Sequence, residues 1–575
     1  MQGFRSFWKW REPANRENSD ALAQSLGCSR LITDLLVQRG INSFEEAKLF
    51  FRPSLNDLHD PFEMAGMQKA VARLRLAEAR NERILVYGDY DVDGSSAVAM
   101  MSLFLEEQGF DCLLYQPDRY GEGYGVSIKG VEFACANDCR LMITLDCGIK
   151  AFDAISFARS QDIDVVVCDH HLPDEQLPEA IAVLDPKRID CSYPCKDLTG
   201  CGVGFKLAQA WLLETNQPPE IAWKYLDLVA ISIAADIVPV TGENRVFCAE
   251  GLKGINAGPR AGISALLSNA GVKHGDLDIE SLVFVIAPRI NAAGRMARAS
   301  EAVGLLRTTL ESEAAEFAAL LEEYNRSRKK EDASITSEAL AQIEADPGMQ
   351  KSSATVVHGA NWHKGVIGIV ASRLIEKYYR PTIVLTGEGE EITGSGRSIA
   401  GFDLHESLQQ CADILVKFGG HTMAAGLSLK TSELPLFRMR FGEIAESFFA
   451  GNQPFPELLI DGELNMEEFT GKDYAQIRAF GPFGPENMAP VFVAKGLRDA
   501  GSRIAGSDGR HLKLQLQTPS GMVVYGMAFS LADAYSELCK GAAVDIAFSL
   551  AENVWQGKRT LQLMVKDFMF RTGDL

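Results

Sequence analysis

What is scarce in this chain of 575 residues already excludes several classes of protein. No run of about 18 apolar residues is free of charge, so no membrane-spanning helix is expected. The opening MQGFRSFWKWREPANRENSDA is charged and aromatic and has no apolar stretch of the signal-peptide kind. Cysteine is sparse, 12 in all, too few for a disulfide scaffold. Cys135/Cys139 and Cys191/Cys195/Cys201 raise the question of zinc, but no C-x-x-C exists and no second pair stands at finger spacing. Structural zinc is disfavoured, and a reducing, cytoplasmic setting is expected. Positive charge is also short, with 57 basic against 77 acidic residues and a net charge of −20. That argues against coating nucleic acid through bulk charge. It leaves room for a local basic channel, or for carboxylates clustered because they hold cations. No P-loop lysine motif occurs, and no G-x-G-x-x-G follows the first strand, which disfavours a nucleotide-triphosphate motor and a dinucleotide oxidoreductase. No internal repeat and no low-complexity tract is present.

What is there is ordinary in bulk: 46% hydrophobic and 23% charged residues, in a length suited to about three to five domains. Residues 1–50 read as a short helical segment ending at Arg52-Pro53. From about residue 83, apolar strands alternate with helices. The runs 83–88, 112–117, 141–146, 164–169 and 181–186 read as strands, and 95–109, 151–161 and 221–238 as helices. This is the pattern of a largely parallel sheet covered on both faces. Residues 309–345 contain no glycine or proline and repeat Leu310, Phe317, Leu321 and Tyr324 at helical spacing. One helix of that length reaches about 55 Å. A second, smaller α/β block follows, with strands at 354–359 and 382–387, a helix at 366–379 and the glycine-rich segments 394–398 and 418–426. From about 453 short strands at 513–517, 522–529, 543–550 and 559–568 predict a small all-β barrel of OB size. The expected division is 1–50, 51–305, 306–347 as the connecting helix, 348–452 and 453–575.

The strongest signal is where the acids fall. Asp89, Asp91 and Asp93 in GDYDVDG follow directly on strand 83–88. Asp146 ends strand 141–146. Asp169, His170 and His171 follow strand 164–168, and Asp236 lies near the end of helix 221–238. Any one aspartate after a strand is commonly a turn or cap residue. GDYDVDG alone lacks the Glu at position 12 of an EF-hand loop. Together, three strands delivering Asp or His at their carboxyl ends define a crevice of the kind where open α/β sheets bind ligands. So many carboxylates held together need cations. Oxygen donors with one imidazole suit Mn²⁺ or Mg²⁺ rather than zinc.

The segments DYDVDG, LDCGI, CDHH and AADIVP, in this order and spacing, resemble the four motifs of the DHH phosphoesterase superfamily. GSGRS with FGGHTMAAG resembles its companion DHHA1 domain. PRINAAGRM (288–296) and GPFGPENMAPVF (481–492) are similar to the superfamily's branch of bacterial single-strand-specific 5′→3′ exonucleases, a likeness that runs from about residue 50 onward. The resemblance implies a DHH domain and a smaller DHHA1 domain joined by a long helix, followed by an OB-like domain. It implies two cations held by Asp89, Asp91, Asp146, His170 and Asp236, with Asp93 as a further acid, and Asp146 as the bridge. Asp169, His171 and His421 are implied near the chemistry, Asp169 orienting an imidazole and His171 touching the phosphate or the leaving oxygen. Two such cations activate water and stabilise the attacking and leaving oxygens of an in-line displacement.

Substrate contacts are expected at Arg119, Arg289, Asn291, Arg295, Ser395, Gly396, Arg397, Gly420 and His421. Arg119, Ser395 and Arg397 are expected to recognise a 5′-terminal phosphate, with Arg397 in a glycine-rich loop whose amides converge on it. Tyr120, Tyr124 and Trp362 are candidate base-stacking platforms. The implied activity is metal-dependent 5′→3′ degradation of single-stranded DNA to 5′-mononucleotides, in repair and recombination, by a monomer working beside a helicase and a single-strand binding protein. Two other readings compete. A DHH phosphodiesterase of short oligonucleotides or cyclic dinucleotides has no need of a β domain of about 120 residues. An inactive replication scaffold on the same fold loses metal ligands, whereas here the motif acids and histidines are intact.

Overall fold

The structure is a computed structural model describing residues 6–296, 298–452, 454–555 and 558–571. Outside them fall the first five residues of the opening segment, Ala297 of the arginine-rich run, Gln453 at the start of the β block, and 572–575. The chain divides into two compact units. One comprises Glu45–Arg328 with Ala479–Met488; the other comprises Met1–Phe44, Lys329–Arg478 and Ala489–Leu575.

The first unit is built on a five-stranded parallel sheet, in the spatial order Cys112–Tyr115, Arg83–Gly88, Cys139–Leu145, Asp164–Cys168, Ala182–Leu184. Its strands are apolar on both faces because both are covered. Ile84, Val86, Leu141 and Ile143 pack with the helices Met67–Arg80, Val92–Glu107 and Gly200–Glu214. Their alternates Leu85, Tyr87 and Met142 pack with Ile128–Ala136 and Phe152–Ser160. In chain order the sheet runs 2-1-3-4-5, so the winding reverses between strands 83–88 and 139–145. Outside the carboxyl ends of that pair lies the natural ligand crevice of such a sheet.

Two local readings of the sequence need correction here. The first helix begins at Val92 rather than at 95, because Asp91 caps it by accepting from the Gly94 amide at 3.0 Å. The apolar stretch 221–238 forms two helices, Glu220–Trp223 and Leu226–Asp236. The second stops at Ile237, which has φ 59° and is 66% exposed. A β-branched residue in the left-handed region is strained, and this one directly follows Asp236.

The residues Ala479–Met488, numbered within the β block, belong to this first unit. Arg245, 5% exposed, donates to the carbonyls of Phe50, Phe480, Gly481 and Pro482, while its guanidinium lies 4.0 Å from the Phe50 ring centre. The Val240 amide donates to Pro485 O at 2.9 Å. The segment 453–575, expected as one β domain, thus includes ten residues that pack with the first unit.

In the second unit a five-stranded mixed sheet runs in the order Leu415–Gly420, Ala424–Lys430, Glu391–Arg397, Thr382–Thr386, Thr355–Gly359. Residues 394–397, expected as a loop, are strand, paired on both sides. A Cβ at Gly394 would come within 2.5 Å of Leu385, and one at Gly396 within 2.6 Å of Ile383 and 2.8 Å of Leu404. Glycine is required there by side chains crossing the sheet, and the strand amides are taken up by the ladder rather than converging on an anion. Strands Phe492–Asp499, Val544–Trp555, Lys558–Phe570, Val523–Ala528 and His511–Gln517 close into a barrel through the pairing Arg498↔Gln517. Phe7–Trp10, within the segment expected to be helical, is a strand parallel to Glu457–Ile460. The Ser6 amide and the Trp8 indole both donate to Asp567 Oδ2, at 3.1 and 2.9 Å, and so tie it to the barrel. One unbroken helix, Glu311–Ala345, begins in the first unit and ends in the second. Among the described residues no helix is long and apolar enough to cross a membrane.

Candidate metal centre and nucleic-acid contacts

The acids singled out in the sequence meet at the reversal point of the parallel sheet. Asp89 leaves strand 83–88, Asp91 caps the following helix, and Asp93 sits in its first turn. Asp146 ends strand 139–145 at φ 60°, a left-handed position that aspartate tolerates. Gly200 makes room for it, since a Cβ there would lie 2.5 Å from Asp146 Cα. His170 Nε2 lies 3.1 Å from Asp146 Oδ1, and 3.7 Å from both Asp93 Oδ2 and Asp236 Oδ2. Three groups each have donor atoms within 4.8 Å of one another: Asp89, Asp91, Asp146; Asp93, His170, Asp236; and Asp146, His170, His171. Asp146 belongs to two of them.

The electrostatics are those of crowded, buried carboxylates. Burial and the neighbouring Asp91 drive Asp89 well above the carboxylate range. Burial and the surrounding aspartates do the same to Asp146. Asp93 is pushed to about 6 by burial and Asp91. Asp236, with 31% of its side chain still open, is pushed to about 8 by desolvation and by Asp93 and Asp91. His170 is held at about 3 by burial and the adjacent His171, so its nitrogen is a neutral donor. Asp89 Oδ1 is buried with no hydrogen-bond partner among the described residues. Carboxylate oxygens with imidazole, and no thiolate, are the donors hard divalent cations take. Nearby Cys147 is buried and its thiol is pushed up, so it stays neutral. The residues present therefore fit two hard divalent cations.

Asp93 and Asp169 differ from the rest. Asp93 accepts from the amides of Gly200 and Cys201 at 2.7 and 2.8 Å and from Ser232 Oγ at 2.7 Å. It thereby pins the start of helix 200–214 against the site. Asp169 accepts from the amides of Ile149, His170 and His171 and, at 2.8 Å, bonds His171 Nδ1. Burial raises its pKa, but the His171 bond and charge outweigh that and bring it to about 2. Burial likewise lowers His171, and the bond to Asp169 overrides it, so that imidazole is raised.

The sequence reading missed three contributors. Gln116, at the end of strand 112–115, donates to Asp89 O at 2.8 Å and to Ser95 Oγ at 3.1 Å. Asp185, which follows strand 182–184, is fully buried and pushed to about 7 by burial. Tyr124, read as a stacking platform, places Oη 3.0 Å from His171 Nε2. Gln116 and Asp185 each follow a strand, as most of the motif acids do, whereas Tyr124 lies in the loop before helix 128–136; what hid them was the absence of a repeated charge pattern.

Comparison with known proteins agrees with this geometry. The DHH family N-terminal domain matches residues 83–233, the DHHA1 domain 350–447 and the RecJ OB domain 460–567. The single-stranded-DNA-specific exonuclease RecJ of Bacillus subtilis is 36% identical over 562 residues, 97% of this chain and 70% of its own length. That of Escherichia coli K12 is 35% identical over 559 residues, 93% of this chain and 95% of its own. The chain belongs to the RecJ family. The crystal structure of RecJ in complex with Mn²⁺ from Thermus thermophilus superposes with a TM-score of 0.85 at 28% identity, covering 99% of this chain and 80% of that one. The same protein has been solved with Mg²⁺.

Within this RecJ-family framework, the expected substrate residues divide between the two units. In the first, the Arg119 guanidinium lies 4.9 Å from the Tyr90 ring centre, and Tyr120 Oη donates to Arg295 O at 2.6 Å. Asn291 is half-buried on the helix Ala287–Met296. Arg289, on the same helix, is 8% exposed and committed to Glu322 and the Val285 carbonyl, both at 2.6 Å, so it braces the long helix. In the second unit Ser395 and Arg397 share a strand face, with Arg397 Nη1 3.0 Å from Ser395 Oγ. Gly396 and Gly420 both stand opposite Ala425, and the His421 amide closes the hairpin on Ala424 O at 2.8 Å. Trp362 is buried and its indole donates to Glu338, so it is core. On the RecJ OB barrel, Arg503, Lys513 and Tyr525 point outward from three adjacent strands, through the pairs Arg503↔Lys513 and Gln515↔Tyr525. A local basic and aromatic face thus exists on an acidic chain.

Proposed function

We infer that this protein is a metal-dependent exonuclease specific for single-stranded DNA, degrading it from the 5′ end to 5′-mononucleotides in DNA repair and recombination. The observation that carries the reading is the convergence of Asp89, Asp91, Asp146, His170 and Asp236 at one point of the sheet, in a chain of the RecJ family. Those five residues would hold two Mn²⁺ or Mg²⁺ ions, with Asp93 bracing the site through its bonds to helix 200–214. When bound, the ions supply an acidified water and neutralise charge on the attacking and leaving oxygens. The chain supplies the rest. Asp169 fixes His171 through Nδ1, and His171 faces the phosphate or the leaving oxygen. Arg119 and Arg295 in the first unit, and Ser395, Arg397 and His421 in the second, are proposed to hold phosphates. The outward face of Arg503, Lys513 and Tyr525 is proposed to hold strand beyond the site through charge and stacking.

The enzyme is proposed to act as a monomer in the cytoplasm, where its twelve free cysteines remain reduced. A helicase that opens duplex and a single-strand binding protein that coats the product are the partners this substrate requires. The deciding experiment is Mn²⁺-dependent release of mononucleotides from a long 5′-labelled single strand, beside duplex and 3′-labelled controls. Immediate release from the 3′-labelled end, or equal rates on blunt duplex, would overturn the reading.

A further inference from the structure

The turn after the last strand of the parallel sheet carries a cation that the fold does not use. Strand Ala182–Leu184 lies beside Asp164–Cys168, with Leu184 opposite Cys168, and the Asp169 amide donates to Leu184 O at 3.0 Å. The segment Asp185-Pro186-Lys187 therefore leaves the sheet alongside Asp169-His170-His171, at the crevice outside the carboxyl ends. Its course is fixed. Asp185, fully buried, accepts from the Lys187 amide at 2.7 Å. Lys196 donates to Pro186 O and Cys191 O at 2.9 and 2.6 Å. Arg188 donates to Val183 O and pairs with Asp190 at 2.6 Å. Arg188 and Lys196 are thus committed to the turn itself. Lys187 is half-buried, and among the described residues its ammonium has neither an ion pair nor a hydrogen bond.

Half-burying an ammonium without a partner costs solvation that nothing in the protein restores. The surroundings show what would restore it. Burial dominates at His170, Asp185 and Asp236, but the charge of Lys187 reaches all three. It nevertheless pairs with neither carboxylate, so it takes no ligand away from a cation. A positive charge that overlooks a metal centre and leaves its acids alone is placed for an anion the cations also hold. We propose that Lys187 is a catalytic residue whose ammonium pairs with a non-bridging oxygen of the phosphate being cut, on the His170 and Asp236 side of the centre. The inference deepens the nuclease reading and rests on it. In-line displacement spreads negative charge over the non-bridging oxygens, and a charge already in position stabilises it without reorganisation. The step asks no proton transfer of Lys187.

Lys187→Met keeps the length of the stem and removes the charge. On a long 5′-phosphorylated single strand at saturating Mn²⁺ it should lower kcat by about tenfold or more, with KM within about threefold. Lys187→Arg restores a charge and should recover most of that loss. Calorimetry without DNA supplies a second readout: Mn²⁺ affinity should stay within about threefold of wild type, where losing a group that orients ligands costs about ten- to a hundredfold. Tm should be unchanged, because no protein group loses a partner. An unchanged kcat for Lys187→Met would overturn the proposal, as would an Arg variant no better than the Met one. A tenfold loss of Mn²⁺ affinity or a clear fall in Tm would make Lys187 a support of the ligands or of the turn, and would overturn it too. Wild-type protein that releases no mononucleotide would instead remove the nuclease reading beneath it.

Discussion

Carboxylates this close cannot all be ionised unless something positive lies among them, and that fixes how the protein should answer to pH. Asp93 and Asp236 rise from the ordinary 3.8 to about 6 and about 8. A group whose folded pKa is raised contributes stability that is full below its unfolded value and is lost as pH rises through the folded one. Without cations the first unit should therefore lose thermal stability as pH rises from about 4 to about 8, and Mn²⁺ should raise Tm most at the upper end. Scanning calorimetry with chelator and with Mn²⁺ checks both signs. Asp169, lowered to about 2, works in the opposite sense: its contribution is full above 3.8 and is lost only as pH falls toward 2. Asp146 belongs to two of the donor groups, so Asp146→Ala should leave less than about a tenth of the activity while strand binding persists, as filter binding with Mn²⁺ would show. At Arg397 the question is which phosphate it holds. If it recognises the terminal one, Arg397→Ala should slow a 5′-phosphorylated strand much more than a 5′-hydroxyl strand; equal slowing of both marks a general backbone contact. At this scale the motif aspartates and histidines were legible in the sequence because strand ends delivered them at recognisable intervals. Tyr124 and Gln116 were not, because their importance lies in where a single polar atom points.

Among the elements, the segment 479–488 carries the strongest structural expectation. Arg245→Ala would leave four backbone carbonyls of Phe50, Phe480, Gly481 and Pro482 without their buried donor. At about 1–3 kcal/mol for each unsatisfied buried group, and short of full additivity, a loss above about 3 kcal/mol is expected, readable from urea unfolding of the first unit. Arg245→Lys should recover little of it, since one ammonium cannot reach four acceptors in guanidinium geometry. The parallel sheet and the long helix were legible because their apolar periods run unbroken. The glycine-rich segment 394–398 was misread because glycine marks both a loop and a close crossing of side chains over a strand. Only the positions of Leu385, Ile383 and Leu404 tell these apart. Phe7–Trp10 was misread as helical because four residues carry too little pattern, and Asp567, which ties that strand down, lies more than 550 positions away.

For the whole molecule, the difficulty is binding a polyanion with a net charge of −20. The outward face of the barrel, with Arg503, Lys513 and Tyr525, offers the local exception. Tyr525→Ala should weaken binding of long strands by about 1–3 kcal/mol while leaving cleavage of oligomers too short to reach the barrel nearly unchanged. Fluorescence anisotropy against strand length checks this; equal weakening at every length would place the face inside the site. The division into two units also bears on how the protein is born. The first unit has its sheet, acids and histidines by Arg328, yet it also contains Ala479–Met488. Synthesis at about 5–20 residues per second puts roughly 8–32 seconds between the two. For that interval the nascent chain carries the metal-binding residues with the Arg245 cradle unfilled and the Val240 amide without its Pro485 acceptor. The first unit is finished only after the second sheet has been made, so a chain broken off early on the ribosome is left with that unit unsealed.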